Sequence, residues 1–223
     1  MGWTEIPPLD SNIAPQLPDI EGLEVVAALV GDHRDKLLPN EQPAIARAVE
    51  KRVREFATGR HLARHALGIL GLPQAAIPSG QSREPLWPTG CIGSITHTEE
   101  LAIAAVAADS ALRSIGIDLE VADRVTPELH PRLLTPRECG LLPDADPSMP
   151  GLLFSAKEAG YKAVNPLVGQ FIGFQEAEVD VDWAGRCFKL RYTGDHEPNR
   201  IMQQGQGFFC FFERYVFTLF IIR

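Results

Sequence analysis

A chain of 223 residues can hold one large domain or two small ones, and its 45% hydrophobic and 22% charged content excludes a largely disordered protein. Its formal net charge of −8 speaks against a general nucleic-acid binder, so any phosphate site must be basic only locally. Residues 1–22 are rich in Pro, Gly and Asp without periodicity, the pattern of an irregular surface arm. Residues 24–30 read as a strand. Asn40 offers an N-cap ahead of Ile45, Val49, Val53 and Phe56 at helical spacing. Thr58 offers a second cap, and Gly71 with Pro73 closes the helix that follows, so two helices are expected to meet at Thr58-Gly59.

Residues 80–88 are dense in turn formers. They lead into 92–96 and 101–108, whose apolar runs suit a buried hairpin, and then into a further strand over 114–120. Thr135-Pro136-Arg137-Glu138 matches a capping box with Pro at the first helical position. A helix with few breakers is expected across 154–162. Two hairpins follow, 179–183 with 187–192 around Ala184-Gly185-Arg186, and 208–212 with 215–222. Helices beside antiparallel strands in both halves make an α+β fold.

The four cysteines, Cys91, Cys139, Cys187 and Cys210, lie far apart with no CxxC pair, which suits reduced thiols. No apolar run reaches the ~20 residues of a membrane helix, and no basic stretch followed by an apolar one opens the chain. A cytoplasmic protein without membrane or nucleic-acid partners is therefore expected.

The chemistry concentrates in two short segments, Gly116-Ile117-Asp118-Leu119-Glu120 and Phe154-Ser155-Ala156-Lys157-Glu158-Ala159-Gly160-Tyr161-Lys162. Two residues apart on a strand, Asp118 and Glu120 share a face; four apart on a helix, Glu158 and Lys162 do the same. Asp118, Glu120 and Glu158 are hard oxygen donors of the kind that suits Mg²⁺ shared with a substrate phosphate. Taken singly, each segment also reads as a solvated acidic pair or a surface helix pair. Lys51, Arg52, Arg54, Arg60 and Arg64, with His61 and His65 among them, are the main basic concentration, suited to phosphate oxygens or to pairing with Glu50 and Glu55. The loop over 80–88 and the Gly93-Ser94-Ile95-Thr96-His97-Thr98 stretch could frame a phosphate-bearing ligand.

In this order, these residues resemble the 4′-phosphopantetheinyl transferases, in the branch typified by the enterobactin-synthetase and surfactin-type enzymes, over residues 51–164. The resemblance implies a monomer of two similar α/β halves related by a pseudo-twofold, with the active site in the cleft between them. The halves would span 23–113, carrying the coenzyme A contacts, and 114–223, carrying the metal ligands and catalytic helix. It also implies transfer of 4′-phosphopantetheine from coenzyme A to a serine of an apo acyl or peptidyl carrier protein, with Mg²⁺ (or Mn²⁺) and release of adenosine 3′,5′-bisphosphate. Secondary-metabolite or siderophore pathways would be served. By matching position, Asp118, Glu120 and Glu158 would hold the metal, and Glu158 and Lys162 would be catalytic, with either Glu158 or a bound water taking the serine proton. Arg52, Arg60, Arg83, Thr96, His97, Lys157 and Lys162 would bind coenzyme A; Ser79 stands where the family often has a lysine, so that phosphate contact would be either missing or supplied by Arg83. Phe154 stands where the family has tryptophan, and Thr96 where serine is common. Residues 126–149 are the candidate docking surface for the carrier, and an apolar patch there reads equally as core. The competing readings are a Mg²⁺-dependent phosphohydrolase acting on coenzyme A or nucleotides, and a non-catalytic coenzyme A or carrier-binding module.

Overall fold

The computed structural model describes residues 17–143, 146–194 and 197–223, without the Glu197 side chain. Most of the expected N-terminal arm, and Asp144 and Ala145 of the expected docking segment, lie outside the described residues. The elements in chain order are β1 (Leu23–Leu29), α1 (Glu50–Ile69), β2 (Cys91–His97), β3 (Leu101–Ala108) and β4 (Ser114–Val121). There follow α2 (His130–Leu133), α3 (Pro136–Leu141), α4 (Met149–Val168), β5 (Ala177–Asp182), β6 (Cys187–Tyr192), α5 (Glu197–Gln204), β7 (Gly205–Phe212) and β8 (Tyr215–Ile222). All strand pairs are antiparallel, in a three-stranded sheet of order β1-β3-β2 and a five-stranded sheet of order β4-β8-β7-β6-β5. The α+β class and the three expected hairpins are therefore present. Among the described residues no helix is long and apolar enough to cross a membrane.

Strand periodicity explains how the layers stack. Ala102, Ala104 and Val106 of β3 pack with Leu62, Ala63, Ala66 and Leu67 of α1, while Leu101, Ile103, Ala105 and Ala107 face the other way. That second face meets Ile115, Ile117 and Leu119 of β4 and Phe217, Leu219 and Ile221 of β8. The opposite face of β8, with Val216, Phe220 and Ile222, packs on Ala156, Ala159 and Ala163 of α4. The order is helix, sheet, sheet, helix, and the strands buried on both faces are the nearly continuous apolar runs of the sequence.

Three expectations change. The segment from Asn40 is not a helix. Gln42–Ile45 forms a 3-10 turn, and one helix, α1, runs unbroken through Thr58-Gly59. Thr58 does not cap; its hydroxyl donates to the Gly31 carbonyl and accepts from the Gly31 N–H. Gly59 is a contact point, because a Cβ there would meet Ile95 Cγ2 of β2 at 2.8 Å. The expected end of the helix holds: Gly71 has φ of 69°, and the Gly71 and Leu72 N–H groups bond the Gly68 and Leu67 carbonyls. The helix α5 was not foreseen, since its apolar side is only the buried pair Ile201 and Met202, too few to show a period. Thr135 and Glu138 form the expected capping box at the start of α3.

Candidate active site

The site lies where β2 of the first sheet runs beside β4 of the second. The two strands join through side chains, the Ile117 N–H donating to Ser94 Oγ at 3.1 Å and Thr96 Oγ1 to Asp118 Oδ1 at 3.4 Å. On β4 the even positions face α4, and Gly116 is the closest approach: a Cβ there would lie 1.9 Å from the Ala159 carbonyl oxygen. Ser114 Oγ secures the same contact by donating to the Ala163 carbonyl at 2.6 Å. Glycine at 116 thus lets the helix carrying Glu158 and Lys162 lie directly on the strand carrying Asp118 and Glu120.

Lys162 Nζ donates to Asp118 Oδ1 at 2.7 Å and to the Ile117 carbonyl at 2.9 Å. The other Asp118 oxygen, Oδ2, is buried without a hydrogen-bond partner. Glu158 is pushed above the usual carboxylate range, mainly by burial; Lys162 opposes the shift and Asp118 adds to it. Glu120 is pushed up by burial and by Asp118, against Arg124, which it pairs with at 3.0 Å. Among the described residues no three His, Cys, Asp or Glu side chains form a ready-made metal cage. Mg²⁺ needs none, since it commonly takes one or two carboxylates and completes its shell with water and substrate phosphate. An unmet buried Asp118 oxygen, with two carboxylates near enough to feel its charge, fits such an ion.

Cations line the adjoining space. Arg52, Arg60, Arg83 and His97 face one another across a small pocket that also includes Glu55 and Phe56. Arg52 donates to His97 Nε2 at 2.7 Å, so the imidazole must be neutral with its proton on Nδ1, towards Glu55. Burial, Arg52 and Lys162 accordingly lower the His97 pKa to about 4. Arg60 lies over the Phe56 ring at 4.3 Å and donates to the Ile77 carbonyl and Ser79 Oγ. Burial lowers its pKa to about 10, which leaves it charged at neutral pH. Beside this pocket opens a cleft of about 650 Å³ bounded by residues 40–48, by Arg52 and Phe56, and by Ser79, Gly80 and Arg83.

Two expected ligand contacts change. Lys157 points away from the site, with its ammonium buried against Glu138 at 2.6 Å and donating to the Leu133 and Phe174 carbonyls, so all three donors are used. Thr96 is buried, and its hydroxyl is turned to Asp118. Of the basic cluster, Lys51 pairs with Glu99 and Arg64 with buried Glu41, while Arg52 and Arg60 face the pocket. Arg47 was missed. It lines the cleft with Arg52 and Arg83, and its signal was being the one charge between Glu41 and Glu50 in an alanine-rich stretch.

Residues 40–107 match the 4′-phosphopantetheinyl transferase N-terminal domain, and residues 114–219 match the 4′-phosphopantetheinyl transferase superfamily. The chain is also similar to the 4′-phosphopantetheinyl transferase PptT of Mycobacterium tuberculosis, 41% identical over 157 residues that cover 67% of this chain and 69% of that protein. The chain belongs to the 4′-phosphopantetheinyl transferase superfamily. Within it, the 4′-phosphopantetheinyl transferase Svp of Streptomyces mobaraensis is 42% identical over 160 residues, covering 70% of this chain and 65% of Svp. Enterobactin synthase component D of Salmonella typhi is 35% identical over 138 residues, covering 59% and 56%. The expected family likeness is thus borne out, enterobactin-type branch included. The two superfamily matches leave residues 108–113 between them, just before β4.

Proposed function

We propose that this phosphopantetheinyl transferase moves 4′-phosphopantetheine from coenzyme A to a serine hydroxyl of an apo acyl or peptidyl carrier protein, in a Mg²⁺-dependent reaction that releases adenosine 3′,5′-bisphosphate. The observation that carries the reading is the buried, unpartnered Oδ2 of Asp118, whose other oxygen pairs with Lys162, near an arginine-lined pocket whose His97 feels the charges of both. Asp118, Glu120 and Glu158 would hold Mg²⁺, whose charge would offset that of the pyrophosphate when bound. Arg52, Arg60, Arg83 and Arg47 anchor the phosphates of the donor, neutral His97 orients Arg52 through Nε2, and Thr96 holds the Asp118 carboxylate in place.

The serine oxygen forms a bond to the phosphorus that bears pantetheine, and the pyrophosphate P–O bond breaks towards the nucleotide. Glu158, on the helix face that also carries Lys162, receives the serine proton. Lys162 neutralises charge developing on the phosphate oxygens.

Intact-mass spectrometry of an apo carrier incubated with this protein, coenzyme A and Mg²⁺ tests the reading. One added phosphopantetheine, lost with EDTA or with the carrier serine changed to alanine, is expected. Free phosphopantetheine with an unmodified carrier would point to hydrolysis instead, and coenzyme A binding without any turnover to a binding module.

A further inference from the structure

Glu41 is completely buried, although no motif of the sequence requires a carboxylate there. Its Oε1 accepts from the Arg64 guanidinium and, at 3.0 Å, from the Ile77 backbone N–H, while Oε2 accepts from the Leu38 N–H at 2.9 Å. Arg64, itself 3% exposed, sends its other nitrogen to the Lys36 carbonyl. One buried ion pair therefore ties together the turn at 36–38, helix α1 and the segment at Ile77.

Those three pieces carry the boundaries of the large cleft. Residues of three segments line it: 40–48, Arg52 and Phe56 of α1, and Ser79, Gly80 and Arg83. The Ile77 peptide, two residues before Ser79, is held from both sides. Glu41 takes its N–H, and Arg60 donates to its carbonyl at 2.7 Å before reaching on to Ser79 Oγ at 3.2 Å. A buried ion pair adds little stability over a well-packed apolar replacement, so stability alone does not account for it. What an apolar side chain could not do is accept hydrogen bonds at once from the Leu38 and Ile77 backbone, next to two of the lining segments.

We infer that Glu41, through Arg64, is a positioning residue that sets the separation of the segments lining the cleft and so the affinity for the phosphate-bearing nucleotide part of the donor. This rests on the assignment of the cleft to coenzyme A made above. Glu41 touches no ligand; it acts through Leu38, Ile77 and α1.

The test is calorimetric titration with coenzyme A, together with steady-state kinetics on a carrier protein, for the full-length wild type, Glu41→Gln and Arg64→Lys. Glutamine leaves Arg64 uncompensated and offers one oxygen where two accept. Glu41→Gln should raise both Kd and KM for coenzyme A about tenfold, with kcat within about twofold and carrier KM unchanged. Arg64→Lys keeps the charge but cannot span Glu41 and the Lys36 carbonyl together; it should raise the coenzyme A KM about threefold, and it serves alone if Glu41→Gln does not fold. Phe188→Leu, in the core of the five-stranded sheet, controls for stability loss alone and should leave that KM unmoved. Unchanged coenzyme A affinity in the folded variants, a fall in kcat with KM constant, or the same KM rise in Phe188→Leu would overturn the role of Glu41. A wild type that binds no coenzyme A would instead remove the assignment of the cleft, and this inference with it.

Discussion

Asp118 is unevenly satisfied: Oδ1 has Lys162 at 2.7 Å and Thr96 at 3.4 Å, and buried Oδ2 has no partner. An unmet buried acceptor costs about 1–3 kcal/mol, which a bound cation would relieve. Mg²⁺ with coenzyme A should therefore raise the melting temperature of the wild type, and EDTA should reverse the rise. Asp118→Asn keeps the shape but not the charge; it should lose the Mg²⁺ response and about 10²-fold or more in kcat. Equal Mg²⁺ responses in thermal unfolding of the two proteins would remove Asp118 from the metal site. The candidate metal and catalytic residues were legible in the sequence because spacings of two and four fix a shared face whatever surrounds the element. Lys157 was not. Its position on α4 says nothing about Glu138, 19 residues earlier, which with the Leu133 and Phe174 carbonyls turns the ammonium inward. Arg47 and Glu41 were hidden for the same reason, since the segments they join or line come together only in three dimensions.

Between elements, the contact of β4 with α4 fixes the distance from Asp118 to Lys162, and Gly116 makes that contact possible. A methyl group at this position would face the Ala159 carbonyl oxygen and the Ala163 nitrogen, both helix backbone, so relief requires moving the whole helix. Gly116→Ala should cost about 3 kcal/mol in denaturant unfolding and lower kcat by more than the lost stability explains. A variant as stable and active as the wild type would show that α4 does not rest on β4 as described. Element types were readable wherever the apolar period was long, as in β3, β8 and α4. They failed at Thr58-Gly59, where a plausible cap and a plausible breaker follow one another. There the threonine is engaged by Gly31 and the glycine by Ile95, both tertiary contacts, so local propensity was overridden.

Across the whole molecule, helix-sheet-sheet-helix layering leaves buried titratable groups on both sides of the central contact, and their pH responses oppose each other. On the α1 side, His61 is held down to about 4 by burial, then by His33, Arg64, His65 and Lys36, from an ordinary value of 6.5. Between those values the unfolded chain binds a proton that the native protein does not. The His61 contribution to stability is therefore full above pH 6.5 and is lost as the pH falls towards 4. On the α4 side, Glu120 and Glu158 are shifted upward chiefly by burial, so their native charged forms are penalised and acid relieves that penalty. A melting curve of the wild type alone mixes the two trends. Subtracting the stability of His61→Gln, which cannot titrate, isolates the histidine. That difference should move against the wild type by about 2 kcal/mol between pH 7 and 4.5. A difference that stayed level would mean the His61 ring takes up its proton as readily in the fold as in the unfolded chain, and that the α1 face is open to water.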